Sequence, residues 1–239
     1  MLSSFPPVAP PALASRPVPS PAPVLQRVSI QSDLDLAIET FDGGGEPLIL
    51  LMGFGAQMLL WPDAFCARLA DAGLRVIRVD HRDVGLSTRS PGLSWGPPYS
   101  LEDMAMDVAL LLDRLGIRRA HVAGASMGGM IAQLLAIHHP HRVRSLTSIM
   151  SAPSLGACGL PHRRLLASVG TLAPARTPEQ DLERFVQRYR AVESPTMRAD
   201  QAWLEDVGRR CAARGSSALA APRQAAAILC GGDRTAGLR

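Results

Sequence analysis

A five-residue segment, Gly124-Ala-Ser-Met-Gly128, joins two different hydrophobic patterns near the middle of the chain. Residues 120–123 before it are typical of a short buried strand, and residues 127–139 after it have the apolar spacing of a helix. A strand that turns directly into a helix leaves little room two positions before and two positions after the turn, and glycines occupy both places. The segment therefore predicts a sharp strand–helix turn with Ser126 at its tip. A helix N-terminus favours developing negative charge, which makes Ser126 a candidate nucleophile.

Glycine-rich turns also occur in phosphate-binding loops and as ordinary connections. No Gly-Lys-Ser or Gly-Lys-Thr follows Gly128, and the glycine spacing does not match the fingerprint of a dinucleotide site. The sequence therefore favours a serine turn of the kind called a nucleophile elbow, with Gly124 and Gly128 as its glycines.

Strand and helix patterns alternate around this turn. Strands are predicted at residues 28–41 (an antiparallel strand or hairpin at a sheet edge), 48–52, 76–79, 120–123 and 143–150, and helices at residues 61–72, 100–115 and 127–139. Ser100 and Asp103 form a predicted capping box at the start of the second helix. The alternation predicts an α/β fold whose mostly parallel sheet has helices on both faces.

The two ends of the chain have different patterns. Residues 1–26 are rich in proline, alanine and serine and predict a disordered tail, because no charged residue precedes an apolar stretch as in a signal peptide. Residues 27–153 form the predicted strand–helix core. Residues 154–239 carry helical patterns broken by prolines and no clear parallel strand, which predicts an inserted helical cap.

A second glycine-rich loop, Met52-Gly-Phe-Gly55, follows the first buried strand. An acyl-transfer site needs two backbone N–H groups that point at the oxyanion. In an elbow one of them belongs to the residue after the nucleophile, here Met127, and the other belongs to the loop after this strand, where Phe54 is the best-placed candidate. A plain glycine turn is the alternative interpretation of this loop.

The stretch Asp80-His-Arg-Asp-Val-Gly-Leu-Ser87 follows the strand predicted at residues 76–79. Asp and Ser side chains often hydrogen-bond to nearby backbone groups and fix a turn, so we expect a structural role for this segment. His81 invites a catalytic interpretation, but a turn or surface histidine is the favoured one.

Composition excludes several classes of protein. The formal net charge is +4, and all 25 basic residues are arginines that are scattered along the chain. Nucleic-acid surfaces usually concentrate charge on one face, so no nucleic-acid partner is expected. No apolar run approaches the roughly 18 residues of a membrane span, so no membrane partner is expected either.

The four cysteines, Cys66, Cys158, Cys211 and Cys230, form no Cys-X-X-Cys pair. We therefore expect no metal site, and free, buried thiols in the reducing cytoplasm.

At these places the chain resembles the α/β-hydrolase superfamily, and within it the aclacinomycin methylesterase-like group of serine hydrolases. The stretches that carry the resemblance are Trp61-Pro-Asp-Ala-Phe, residues 73–83, Gly85-Leu-Ser-Thr88 and residues 120–133. The resemblance is dense over residues 48–153 and loose in the cap. It implies the α/β-hydrolase fold and hydrolysis of methyl or small acyl esters of a small hydrophobic substrate, without a cofactor. The family's oxyanion loop often begins with His-Gly, whereas this chain has Met52-Gly53.

A serine nucleophile needs a histidine base and an acid, in the chain order Ser, Asp or Glu, His. The histidines after Ser126 are His138, His139, His141 and His162, of which the first lies about 18 Å from Ser126 along the helix. His162 and Asp233 are weak candidates for the base and the acid. Residues 222–230 before Asp233 favour a helix over an acid-bearing strand, since alanine is a strong helix former.

We therefore expect the chain to stop before the last strands and the triad Asp and His of its family. Two consequences would follow: the strand at 143–150 becomes a sheet edge, and ester hydrolysis is very weak. The alternatives to a weak esterase are a carbon–carbon hydrolase or perhydrolase of the same fold, and an inactive protein that binds a small hydrophobic molecule.

Overall fold

The computed structural model describes residues 22–91, 98–154, 177–194, 196–215 and 220–239. Six strands form one sheet: β1 (Val24–Gln31), β2 (Leu34–Asp42), β3 (Pro47–Leu51), β4 (Arg75–Val79), β5 (Ala120–Ala125) and β6 (Val143–Ile149). Their order across the sheet is β1-β2-β4-β3-β5-β6. The four neighbouring strands β4, β3, β5 and β6 pair in parallel. β1 pairs antiparallel with β2, and β2 pairs antiparallel with β4. The predicted mostly parallel sheet is therefore confirmed.

Six helices are described: α1 (Asp63–Asp71), α2 (Leu101–Arg114), α3 (Met127–His138), α4 (Pro178–Val192), α5 (Gln201–Ala213) and α6 (Ala220–Cys230). Short 3-10 turns lie at Met58–Leu60 and Pro140–Arg142. The capping box of α2 is confirmed, because the Ser100 side chain accepts from the Asp103 N–H and the Asp103 carboxylate accepts from the Ser100 N–H.

The first strand begins before residue 27, where the sequence analysis placed the start of the core. β1 starts at Val24, which pairs with Thr40, and Gln26 pairs with Ile38. These cross-strand contacts lie outside the alternating pattern from which the boundary was predicted. The hairpin of β1 and β2 at the sheet edge is confirmed. Residues 1–21 of the predicted tail lie outside the described residues.

The continuous apolar runs of the central strands are explained by burial on both faces. Ile49 lies in register between Ile77 and Val122, and all three pack into the core on the side of α2 and α3. The alternate residues of the same strands, such as Leu50, pack on the opposite face with Cys66 of α1. The sheet is therefore held rigidly between helices, which fixes the ends of its strands.

β6 is the other edge of the sheet, as the sequence predicted. Most of its residues are exposed, and Met150 directly after it is 72% exposed. Among the described residues β6 pairs with β5 alone.

The described residues after 176 are helical where the sequence predicted helices. Thr177 caps α4 and Asp200 caps α5, each through a side-chain oxygen that accepts a backbone N–H. α6 covers the segment before Asp233, so the preference for a helix there is confirmed. Residues 155–176 lie outside the described residues, and the status of this region as an inserted cap stays a prediction.

Two further expectations are tested by the described residues. No helix in these ranges is long and apolar enough to cross a membrane. Cys66 and Cys211 are free and buried as expected, but Cys230 is exposed because it ends α6 on the side that faces solvent. Cys158 is outside the described part of the chain.

Candidate active site

Ser126 lies at the junction of β5 and α3, where the chain reverses at a single residue. Its backbone has φ 52° and ψ −117°, a conformation that residues with a side chain rarely adopt. The Ser126 N–H donates to the carbonyl oxygen of Ile149 at 2.9 Å, which ties the turn to the end of β6. The strand–helix turn that the sequence predicted is therefore present, with a half-buried serine at its tip.

The two glycines of the turn stand where no side chain fits. A Cβ atom on Gly124 would lie 2.1 Å from the Gly128 carbonyl oxygen, and a Cβ on Gly128 would lie 2.3 Å from the Leu51 carbonyl oxygen. Real Cβ contacts are not this short, so the backbone would have to move. Both glycines thus allow β3, β5 and α3 to approach each other around Ser126.

The glycine loop after β3 lies beside the serine. A Cβ on Gly53 would be 3.2 Å from Ser126 Cβ and 3.8 Å from Ser126 Oγ. Among the described residues, nothing accepts a hydrogen bond from the N–H of Phe54 or of Met127. The arrangement therefore brings the loop of Phe54 next to Ser126 and the first residue of α3, with two backbone donors still available.

His81 begins the turn after β4, as one of the two expectations had it, because its carbonyl oxygen accepts from the Val84 N–H at 3.1 Å; it is buried next to the loop at Phe54, so the surface alternative was wrong. Its Nε2 is 3.0 Å from the Met52 carbonyl oxygen, and its side chain is only 3% exposed. Burial lowers the pKa of the imidazole to about 4, so the ring is neutral near pH 7. A neutral ring that donates from Nε2 fixes the peptide between Met52 and Gly53.

Gln224 is a second contact of the loop that the sequence did not predict. It lies on α6, is fully buried, and its Oε1 accepts from the Gly55 N–H at 2.8 Å. A polar side chain within an alanine-rich helix was the available signal, but its partner is 169 residues earlier in the chain. The position of His81 follows from the parallel pairing of β3 with β4, whose carboxyl ends meet, and no local sequence pattern gives that pairing.

Asp80 fixes the turn after β4, as predicted. Its carboxylate accepts from the backbone N–H of Met58 at 2.8 Å and of Leu86 at 3.1 Å, and Ser87 Oγ donates to the Asp80 carbonyl oxygen. Burial raises the pKa of Asp80, and the adjacent Arg214 guanidinium opposes that shift. The turn is thereby held against both the 3-10 turn and α5.

The described residues do not place a general base or an acid at Ser126. No described side chain hydrogen-bonds to Ser126 Oγ, and His138, His139 and His141 lie at the far end of α3. Asp233 is exposed and accepts from the N–H and Oγ1 of Thr235, hydrogen bonds that lower its pKa. Asp233 shares no hydrogen bond with a described histidine, and His162 is outside the described residues.

A family model for the alpha/beta hydrolase fold matches residues 46–224, which is more than half of the chain. The chain belongs to the α/β-hydrolase family. The α/β-hydrolase core defined by the match contains β3 to β6, the loop at Phe54 and the turn at Ser126, and so includes every part of the site described above.

Two of the named relatives of this α/β-hydrolase are methylesterases. Rhodomycin D methylesterase DauP of Streptomyces sp. (strain C5) is 37% identical over 167 residues, and DnrP of Streptomyces peucetius is 36% identical over 167 residues. Each match covers 62% of this chain and 55% of the relative, so the chain matches about half the length of these enzymes. The crystal structure of a hydrolase from Pseudomonas aeruginosa PA01 is 27% identical, with a TM-score of 0.64 over 85% of this chain and 72% of that one.

Proposed function

We propose that this chain carries the nucleophile and the oxyanion hole of a serine-dependent carboxylic ester hydrolase. The observation that carries the proposal is the positive φ of Ser126 at the junction of β5 and α3, beside a loop with a free N–H group. A residue held in such a conformation costs about 1–3 kcal/mol and persists where the surrounding structure enforces it, often at active sites.

In the proposed reaction Ser126 Oγ attacks the carbonyl carbon of the ester. The carbonyl oxygen gains negative charge and accepts hydrogen bonds from the N–H groups of Met127 and Phe54. The carbon–oxygen bond to the alcohol then breaks, the alcohol leaves with a proton, and the acyl group stays on Ser126. Water attacks this acyl-enzyme, releases the acid and restores the serine hydroxyl.

The proposed substrate is a small hydrophobic ester of the methyl or small acyl class. The support is the similarity to rhodomycin D methylesterases over the region that contains Ser126. The reaction as proposed uses no cofactor and no metal ion. A cytoplasmic location is part of the proposal, supported by the free thiols of Cys66 and Cys211.

We propose that the chain turns over slowly. Attack by serine requires a base that removes the hydroxyl proton, and none of the described histidines hydrogen-bonds to Ser126 Oγ. Enzymes that lose triad members retain a rate of about 10³–10⁴-fold over water, from the oxyanion hole and binding alone. The same observation favours one second candidate, a catalytically inactive α/β-hydrolase that binds a small hydrophobic molecule.

A fluorophosphonate probe separates these two functions, because it reacts covalently with an activated serine. We expect slow labelling of the full chain that disappears in Ser126→Ala and persists in Ser29→Ala, which removes an exposed serine on β1. Slow hydrolysis of p-nitrophenyl acetate should show the same dependence on Ser126. A folded chain that is not labelled would support the inactive binding protein, and labelling that survives in Ser126→Ala would contradict the proposal.

A further inference from the structure

A pocket of about 240 Å³ lies at the amino ends of the parallel strands, away from Ser126. Among the described residues, four arginines line it, Arg75, Arg118, Arg119 and Arg144, together with one carboxylate, that of Glu46. No part of the proposed esterase reaction uses these residues.

The sheet explains why arginines that are scattered in the sequence meet here. Arg75 is the first residue of β4, Arg119 directly precedes β5, and Arg144 is the second residue of β6. β4, β3, β5 and β6 are neighbouring parallel strands, so their amino ends share one edge of the sheet. Ser126 follows the carboxyl end of β5, about 20 Å away along six residues of extended chain. The pocket is therefore spatially separate from the nucleophile.

The charges of the pocket are not balanced. Arg144 Nε pairs with Glu46 Oε2 at 2.8 Å, and both side chains are more than one third exposed. Arg119 donates to the Val143 carbonyl oxygen at 2.9 Å. Within the described residues, Arg75, Arg118 and Arg119 have no carboxylate partner. Three arginines that have no carboxylate partner in the described part of the chain therefore line one small concave site.

We propose that this pocket binds the phosphate group of a phosphorylated small molecule. Guanidinium is planar and permanently charged, and its paired N–H groups match the spacing of phosphate oxygens. The volume of about 240 Å³ suits a phosphate or pyrophosphate group. An incoming anion competes with Glu46 for Arg144, so Glu46 weakens binding and limits it to strongly charged ligands.

Calorimetric titration of the full chain with inorganic pyrophosphate in low-salt buffer tests the proposal. We expect saturable binding that Arg75→Gln and Arg118→Gln each weaken about three- to five-fold, the range of an exposed ion pair. These two residues have no partner that the fold requires, and circular dichroism would verify that the variants are folded. Glu46→Gln should tighten binding by a similar factor. Arg209→Gln, which changes an exposed arginine of α5, is the matched control and should bind as wild type does.

A vesicle experiment distinguishes a lipid headgroup from a soluble phosphorylated molecule as the ligand of the pocket. Sedimentation with phosphatidylglycerol vesicles, compared with phosphatidylcholine vesicles, shows whether a lipid headgroup occupies the pocket. Vesicle binding that depends on Arg75 and Arg118, without binding of pyrophosphate, would overturn the assignment to a small molecule. Absence of both kinds of binding, or equal weakening by Arg209→Gln, would overturn the site itself. Labelling of Ser126 is independent of all these outcomes.

Discussion

The elbow and the C-terminal helices are attached to the same sheet by different physical means. At the elbow, backbone packs on backbone, and Gly124 and Gly128 are required because no Cβ fits. The segments after α4 are attached instead by arginines with little exposure. Arg214 contacts the carboxylates of Asp80 at 2.6 Å and Glu39 at 3.2 Å, and Arg223 contacts Asp83 at 3.1 Å.

This difference predicts different sensitivities. Close backbone packing cannot relax, so any added atom is costly and the effect does not depend on pH or salt. A buried ion pair gains little over an apolar replacement of both partners, but the loss of one partner leaves an uncompensated charge. The elbow should therefore be sensitive to volume, and the attachment of the helices should be sensitive to charge.

The largest effect is expected from Gly128→Ala. Its Cβ would lie 2.3 Å from the Leu51 carbonyl oxygen, and β3 would have to separate from α3. We expect a loss of about 4 kcal/mol or more in the free energy of unfolding, measured by urea denaturation. Gly232→Ala is the matched control, because nothing lies within 4 Å of its added Cβ. Equal stability of the two variants would show that the elbow is loosely packed.

A smaller effect, which arises from the loss of a charge and not from added volume, is expected from Arg214→Met. It removes the partner of Asp80, whose side chain is fully buried, and we expect a loss of about 3 kcal/mol in urea denaturation. Arg209→Met removes an arginine that is 59% exposed and pairs with Glu205 on the same helix, and should change stability by less than about 0.5 kcal/mol. If Arg214→Met were as stable as Arg209→Met, the ion pairs would not hold α5.

These two regions also differ in how far the sequence predicts them. The elbow was predictable, because Gly124, Ser126 and Gly128 lie within five residues and the adjoining patterns identify a strand and a helix. The ion pairs of Arg214 were not, because its partners are 134 and 175 residues away, and no local pattern encodes such a distance. Burial of His81 was missed for the same reason, since its contact with Met52 depends on the order of strands in the sheet.

His81 offers a test that depends on pH. Its pKa is about 4 in the folded chain and about 6.5 when unfolded, so the unfolded chain binds a proton between these values and the folded chain does not. The neutral His81 therefore contributes to the free energy of unfolding. This contribution is complete above about pH 6.5 and is lost as the pH falls toward 4. Between about pH 7.5 and pH 5, wild type should lose about 2 kcal/mol more than His81→Gln, which retains a donor for Met52.

Urea denaturation at both pH values measures this difference, and His141→Gln is its control because His141 is exposed. That variant should follow wild type. Parallel losses in wild type and His81→Gln would mean that the buried imidazole is already protonated near pH 5, or that solvent reaches it.

The smallest effect isolates the backbone strain of the elbow from its packing. Glycine adopts positive φ without the cost of about 1–3 kcal/mol that Ser126 bears, but it loses about 0.5–1 kcal/mol more backbone entropy on folding. Ser126→Gly should therefore be about 1 kcal/mol more stable than Ser126→Ala, since alanine lacks the hydroxyl but retains the Cβ and its strain. Urea denaturation of the two variants measures the difference, and neither should react with a fluorophosphonate. Equal stabilities would mean that Ser126 holds its conformation without backbone strain. Only the close contacts of the two glycines would then cost free energy at the elbow.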